Sequence, residues 1–229
     1  MSLANAAFTG EPAAVDPDRD CPICPRLLAF RREARALEPG WHNAPVPSFG
    51  DATAHLLIVG LAPGLRGANR TGRPFTGDFA GDLLYATLAE FGFATGTYLA
   101  RPDDGLELRD CRISNAVRCV PPQNKPLPSE IHACRRFLEA TMSAMSNLRA
   151  IVALGKIAHD SVVRACGEKL GNVPFGHGNA HALERADGAA LTLFDSYHCS
   201  RYNTNTGVLT PAMFRSVFAA VRKQIEPLS

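Results

Sequence analysis

Short apolar segments alternating with longer amphipathic ones predict an α/β fold: a three-layer α/β/α sandwich around a central, mostly parallel four-stranded sheet. Two observations carry this expectation. Four apolar segments, 55–63 (HLLIVGLAP), 111–117 (CRISNAV), 150–155 (AIVALG) and 190–197 (ALTLFDSY), read as short strands, continuous enough to be buried on both faces. Between and after them lie stretches of ten or more residues with apolar side chains at helical spacing.

Each helix has its own signals. In 26–38 (RLLAFRREARALE), Leu27, Leu28, Phe30, Ala34 and Leu37 form an apolar stripe with arginines between them. In 81–93, Asp82 lies near the start and Gly92 near the end, as the helix dipole and a left-handed terminus favour. The segment 128–145 is the clearest helix, introduced by Pro128 and Ser129. Residues 156–166 and 211–224 complete the set. The first 20 residues are small, polar and aperiodic and read as a loose lead, leaving 21–229 as a single domain. Residues 39–51 (PGWHNAPVPSFGD) form a Pro/Gly loop with Trp41 and Phe49 as anchors.

Composition narrows the functional classes. The 229 residues carry 24 basic and 22 acidic side chains, a net charge of +2. That excludes a histone-like tail protein but neither requires nor forbids a local basic patch. No secretory leader pattern opens the sequence, and no run approaches the roughly 20 apolar residues of a membrane span. The expectation is a soluble, cytoplasmic protein.

The chain has seven cysteines, an odd number that argues against a pure disulfide framework. Cys21 and Cys24 form a CxxC pair, and Cys119 and Cys134 are separated by fourteen residues. Four thiolates suit an iron-sulfur cluster or a zinc ion. A redox pair and unliganded buried thiols are the other readings of the same residues. Cys111 and Cys166 read as core.

In parallel α/β sheets, ligands bind beyond the carboxyl ends of the strands. Polar, Gly-rich segments follow strands one, two and four here. The segment 60–84 (GLAPGLRGANRTGRPFTGDFAGDLL) lacks both the GK[ST] of a phosphate loop and the GxGxxG of a dinucleotide site. Its amides can hold a phosphate or a base edge, and Phe75 within it can stack on a base.

Three segments and the cysteines then converge. The segment 60–84 resembles the first motif of the uracil-DNA glycosylase superfamily in its type B (family 5) branch. ISNAVRCVPPQNKP (113–126) resembles the branch's Asn-containing strand end followed by a cysteine, and HCSRYNTNTG (198–207) its late His-x-Ser-Arg-x-Asn motif, with Cys199 where Pro is usual. The four cysteines match the pattern of the iron-sulfur branches.

The resemblance implies a monofunctional enzyme that hydrolyses the N-glycosidic bond of uracil in DNA, with hypoxanthine, xanthine or ethenocytosine as further substrates. It implies that Asn115 hydrogen-bonds the extruded base, that Phe75 stacks on it, and that His198 stabilises charge on the leaving pyrimidine. Asp78 is the acidic candidate for water or the sugar cation. Gly64 shapes the floor, and Arg201 and Asn203 sit on a loop near the DNA. It also implies a structural [4Fe-4S] cluster on Cys21, Cys24, Cys119 and Cys134. Arg66, Arg70, Arg73, Arg118, Lys125 and Arg201 are expected to meet phosphates. The expected partner is damaged DNA, bound by a monomer. A catalytically silent nucleic-acid-binding iron-sulfur protein of the same fold is the alternative.

Overall fold

The computed structural model describes residues 15–225. In chain order the elements are α1 (Pro25–Leu37), β1 (Leu56–Gly60), α2 (Ala68–Thr71), α3 (Phe79–Glu90), β2 (Ala94–Thr95), β3 (Glu107–Leu108) and β4 (Cys111–Asn115). After a 3₁₀ turn at Pro122–Asn124 come α4 (Pro128–Ala144), β5 (Ala150–Leu154), α5 (Lys156–Ala165), β6 (Ala180–Glu184), β7 (Ala190–Ser196), α6 (Arg201–Asn205) and α7 (Pro211–Ile225).

The main sheet has five strands in the order β4-β1-β5-β7-β6, which corrects the four-stranded, mostly parallel expectation. The four expected strands pair in parallel, and β6 joins β7 antiparallel, from Ala180 opposite Phe194 to Glu184 opposite Ala190. The strand escaped the sequence because it lies at the sheet edge. Its five residues, AHALE, alternate between exposed and half-buried and carry no continuous apolar run. A further two-stranded antiparallel pair joins β2 to β3.

The sandwich follows from side-chain alternation on β1. Leu56 and Ile58 face one core with Leu84 and Leu88 of α3 and Phe214 and Phe218 of α7. Leu57 and Val59 face the other, with Leu138 and Met142 of α4 and Val162 of α5. Truncating one of these fully buried leucines to Ala costs about 2–5 kcal/mol. A third, smaller cluster packs α1 against Cys119, Cys134 and Phe137.

Local chemistry fixes the helix starts. Pro25, Pro128 and Pro211 open α1, α4 and α7, where a missing N–H costs nothing. The Glu130 carboxylate accepts from Leu127 N at 2.8 Å, capping α4. Of the expected N-terminal lead, residues 1–14 lie outside the described residues. Asp16 is tied down: its Oδ1 accepts from Arg118 Nη1 at 2.6 Å and from Ser48 N at 3.0 Å. Among the described residues no helix is long and apolar enough to cross a membrane.

The chain leaves β1 and next enters the main sheet at β4 on one side, then at β5 on the other. Such a reversal opens a crevice at the carboxyl ends of the strands.

Candidate active site

The crevice holds a cavity of about 300 Å³, lined among others by Gly64, Phe75, Asp78, Asn115, His198 and Arg201. Six of the expected site residues therefore meet in one place, from three separate segments of the chain. The volume lies at the small end of ligand-sized pockets.

Asn115 ends β4 and is buried, yet its amide makes no hydrogen bond to another described residue. The amide lines the cavity, where water or a ligand can pair with it. Its neighbour across the strands is Gly60. A Cβ there would fall 2.5 Å from Asn115 Oδ1 and 2.6 Å from Phe75 Cζ. Glycine at this strand end is what lets amide and ring approach the same spot.

Phe75 sits in the left-handed region at φ 52°, an uncommon backbone for an aromatic residue. Its surroundings hold it there: Tyr98 Oη donates to Phe75 O at 3.1 Å, and Tyr85 Oη donates to Pro74 O at 2.7 Å. The ring lies near that of His198, with centroids 6.0 Å apart and planes 27° from parallel.

His198 follows β7 and is half-buried. Desolvation pushes its pKa down to about 4. The imidazole is therefore neutral near pH 7 and can donate from one nitrogen. Asn203 holds this loop rather than lining the pocket: its Nδ2 donates to His198 O at 2.9 Å. Ser200 Oγ caps α6 by accepting from Asn203 N at 3.3 Å. Cys199 is fully buried and directs its thiol at Ala80 O, 3.5 Å away, so packing anchors the position where Pro is usual.

Asp78 does two things at once. It is the N-cap of α3, its Oδ1 accepting from Gly81 N at 3.3 Å, and it lines the cavity. Burial raises its pKa, against the opposing pull of the Gly81 and Ala80 amides. Arg201 lies over the Phe79 ring at 5.1 Å and lines the mouth. Phe79, Ser200 and Asn124 complete this rim and were not expected. Asn124 stood within the quoted Asn-containing motif, but nothing in its spacing distinguished it from a turn residue.

Two of the expected phosphate-facing arginines are interior. Arg73 forms two 2.7 Å bonds to Asp104, and Arg118 bonds Asp16 and Thr141. Buried guanidinium groups need such partners to offset lost hydration. Arg66, Arg70, Lys125 and Arg201 are exposed.

Cys21, Cys24, Cys119 and Cys134 surround one small cavity with Leu27, Arg31 and Phe137, all four as free thiols. The expected [4Fe-4S] cluster on them is corrected. Among the described residues, the one group of three or more His, Cys, Asp or Glu ligand atoms within 4.8 Å of one another is His159, His181 and Asp195. No three cysteine sulfurs meet that spacing. Burial also pushes the Cys24 thiol up to about 11 and the Cys119 thiol up to about 12.

The His159 group is a hydrogen-bond network. His159 Nδ1 lies 2.6 Å from Asp195 Oδ1 and Nε2 lies 2.8 Å from Val173 O. A ring facing two acceptors donates from both nitrogens and keeps no lone pair for a metal. Burial opposes the charge, but the bonds to Asp195 and Val173 outweigh it and raise the His159 pKa.

Fold and pocket together define an α/β protein whose strand-end crevice brings an aromatic ring, an amide and a neutral imidazole to one cavity. Residues 47–222 match the uracil DNA glycosylase superfamily. The chain is 43% identical over 209 residues to the type-5 uracil-DNA glycosylase of Thermus thermophilus, covering 89% of this chain and 93% of that protein. It is 42% identical to the type-5 enzyme of Mycobacterium tuberculosis, covering 89% and 77%, and 38% identical to that of Pyrobaculum aerophilum, covering 83% of each. The chain belongs to the uracil DNA glycosylase superfamily, in its type-5 family.

Proposed function

We propose that this protein is a monofunctional DNA glycosylase of base-excision repair, which hydrolyses the N-glycosidic bond of uracil and of other deaminated bases in DNA. The observation that carries this reading is the Asn115 amide, which lines the cavity beside Phe75 and makes no hydrogen bond to another described residue. A pyrimidine edge with adjacent carbonyl and N–H groups matches the donor and acceptor of one amide. A stacked base never exposes that edge and face together, so the target nucleotide must turn out of the helix.

In the pocket, Phe75 stacks on the base and Asn115 reads its edge. As the glycosidic bond lengthens, negative charge grows on the leaving base and positive charge on the sugar. Neutral His198 donates a hydrogen bond to the base oxygen, where the charge develops. A neutral donor suits this step because it gains strength with the charge without requiring a proton transfer. Asp78, at the edge of the cavity, steadies the sugar cation or aligns water. No lysine is among the described residues lining the cavity, which supports hydrolysis over a Schiff-base route. The enzyme acts as a monomer inside the cell, with Arg66, Lys125 and Arg201 meeting phosphates.

The test is a base-release assay on defined duplexes. Free uracil released from DNA carrying one uracil, with strands left intact until alkali is added, is the expected result. Binding without release points instead to a silent DNA-binding protein of the same fold.

A further inference from the structure

The geometry points to a second nucleic-acid subsite: we propose that the groove walled by Trp41, Arg70 and Arg101 holds nucleotides flanking the target base. This rests on the glycosylase reading. The groove has about 480 Å³ of open space, lined by Gly40, Trp41, His42, Arg70, Thr71, Ala100, Arg101 and Pro102. It combines what a single strand needs, an aromatic platform and cations along a channel.

Its position relative to the base pocket is set by α2. Ala68 of that helix lines the base pocket, and Arg70 and Thr71 of the same helix line the groove. Two residues of helix rise about 3 Å, so the two sites share one wall. Arg70 also reaches back toward the pocket. Its Nη2 lies 2.8 Å from where a Cβ on Gly77 would stand, and Gly77 directly precedes Asp78.

The groove is preformed. His42 N donates to Arg70 O and Asn43 N to Asn69 O, both at 3.0 Å, pinning the Trp41 loop to α2. Asn69 Nδ2 donates to Asn43 Oδ1 at 2.8 Å beneath them. Gly72 lets the loop come this close, since a Cβ there would meet the His42 ring at 2.9 Å. The third wall is fixed by the Arg73–Asp104 pair, whose carboxylate also accepts from Leu99 N at 3.0 Å.

The groove's cations are available. Arg70 spends its Nε on Arg66 O at 2.9 Å and has no carboxylate within 4.0 Å among the described residues. Arg101 has a weak, exposed contact with Asp103 at 3.5 Å. Exposed pairs of this kind exchange readily for a phosphate.

Trp41 is the single tryptophan of the chain, so its fluorescence reports this groove alone. The experiment titrates the protein with uracil-containing oligonucleotides that are full length or truncated to one side of the uracil. Fluorescence and anisotropy are read in parallel, with uracil release by the wild type measured separately. Full-length DNA and one truncation are expected to quench Trp41, and the opposite truncation is not. Trp41→Ala and Arg70→Ala should each weaken full-length binding on the order of ten-fold, with Arg70→Ala lowering the salt slope by about one. Neither should affect binding of the DNA that lacks the flank, a non-additivity that a folding defect does not produce. Unchanged Trp41 emission on DNA that anisotropy shows to be bound overturns the proposal. So does equal weakening on every truncation. Absence of uracil release with quenching intact counts against the glycosylase reading and leaves the groove standing.

Discussion

Phe75 and His198 face each other with ring centroids 6.0 Å apart, although one precedes α3 and the other follows β7. Their meeting beside Asn115 makes three distant motifs one pocket.

Gly60 is a point of close approach in the pocket. A Cβ here must displace Asn115 or Phe75, since it would stand 2.5 and 2.6 Å from them. Overpacking of this kind costs about 1–3 kcal/mol. Gly60→Ala should remain folded, with a modestly lower melting temperature, but lose most uracil release. Near-normal release would show that amide and ring need not converge there.

Asp78 caps α3 as well as lining the pocket. Asn caps as well as Asp, so Asp78→Asn should keep the wild-type melting temperature, and Asp78→Ala should lose about 1 kcal/mol. Any fall in rate shared by the two variants then belongs to the lost charge. If Asp78 acts on the sugar, uracil and hypoxanthine should slow together, because the sugar is common to both. Full activity in Asp78→Asn would leave the residue a cap and nothing more.

Burial holds His198 at about 4 rather than near its ordinary value. The single-turnover rate should therefore show no inflection near pH 6.5 and decline only as pH approaches 4. Stability follows the same sign. Between the unfolded and folded pKa values the unfolded chain binds the extra proton, so the His198 contribution is intact above about pH 6.5 and is lost as pH falls toward 4. An inflection around pH 6.5 in the wild type that disappears in His198→Gln would contradict a neutral imidazole.

The Arg73–Asp104 pair supports the Phe75 loop from behind, with both side chains buried. Breaking one partner of such a pair costs about 3–5 kcal/mol. Asp104→Asn should show a clear drop in denaturation midpoint, measurable by urea titration. Arg73 holds the Asp104 carboxyl well below the usual range, so this contribution persists above the ordinary carboxylate pKa and fades as pH falls below it. An Asp104→Asn protein as stable as the wild type would remove the pair from this account.

Much of this was legible because the chemistry lies in short segments with strong local signals. Segments of six to nine residues with apolar centres marked β1, β4, β5 and β7 within a few residues of their observed bounds. Phe75, Asp78, Asn115, His198 and Arg201 stand in polar segments distinct from the apolar core runs. β6 was missed because an edge strand with exposed Ala, His and Glu has no burial pattern to read. Arg73 and Arg118 were misplaced because a sequence cannot show that Asp104 and Asp16 wait for them inside. The cysteine spacing was legible, but the separation of the sulfurs and the burial of the thiols were not. Asn203 was assigned to the DNA side, and its amide instead turns back to hold His198 O.

The central claim is that this pocket breaks the glycosidic bond by stabilising charge on the leaving base. Single-turnover release of uracil from a duplex, at saturating enzyme, tests it in the wild type and His198→Ala. The expected result is rapid release by the wild type and a loss of roughly 10²-fold or more in the variant, with DNA affinity changed far less. A His198→Ala protein that releases uracil at the full rate would contradict this mechanism.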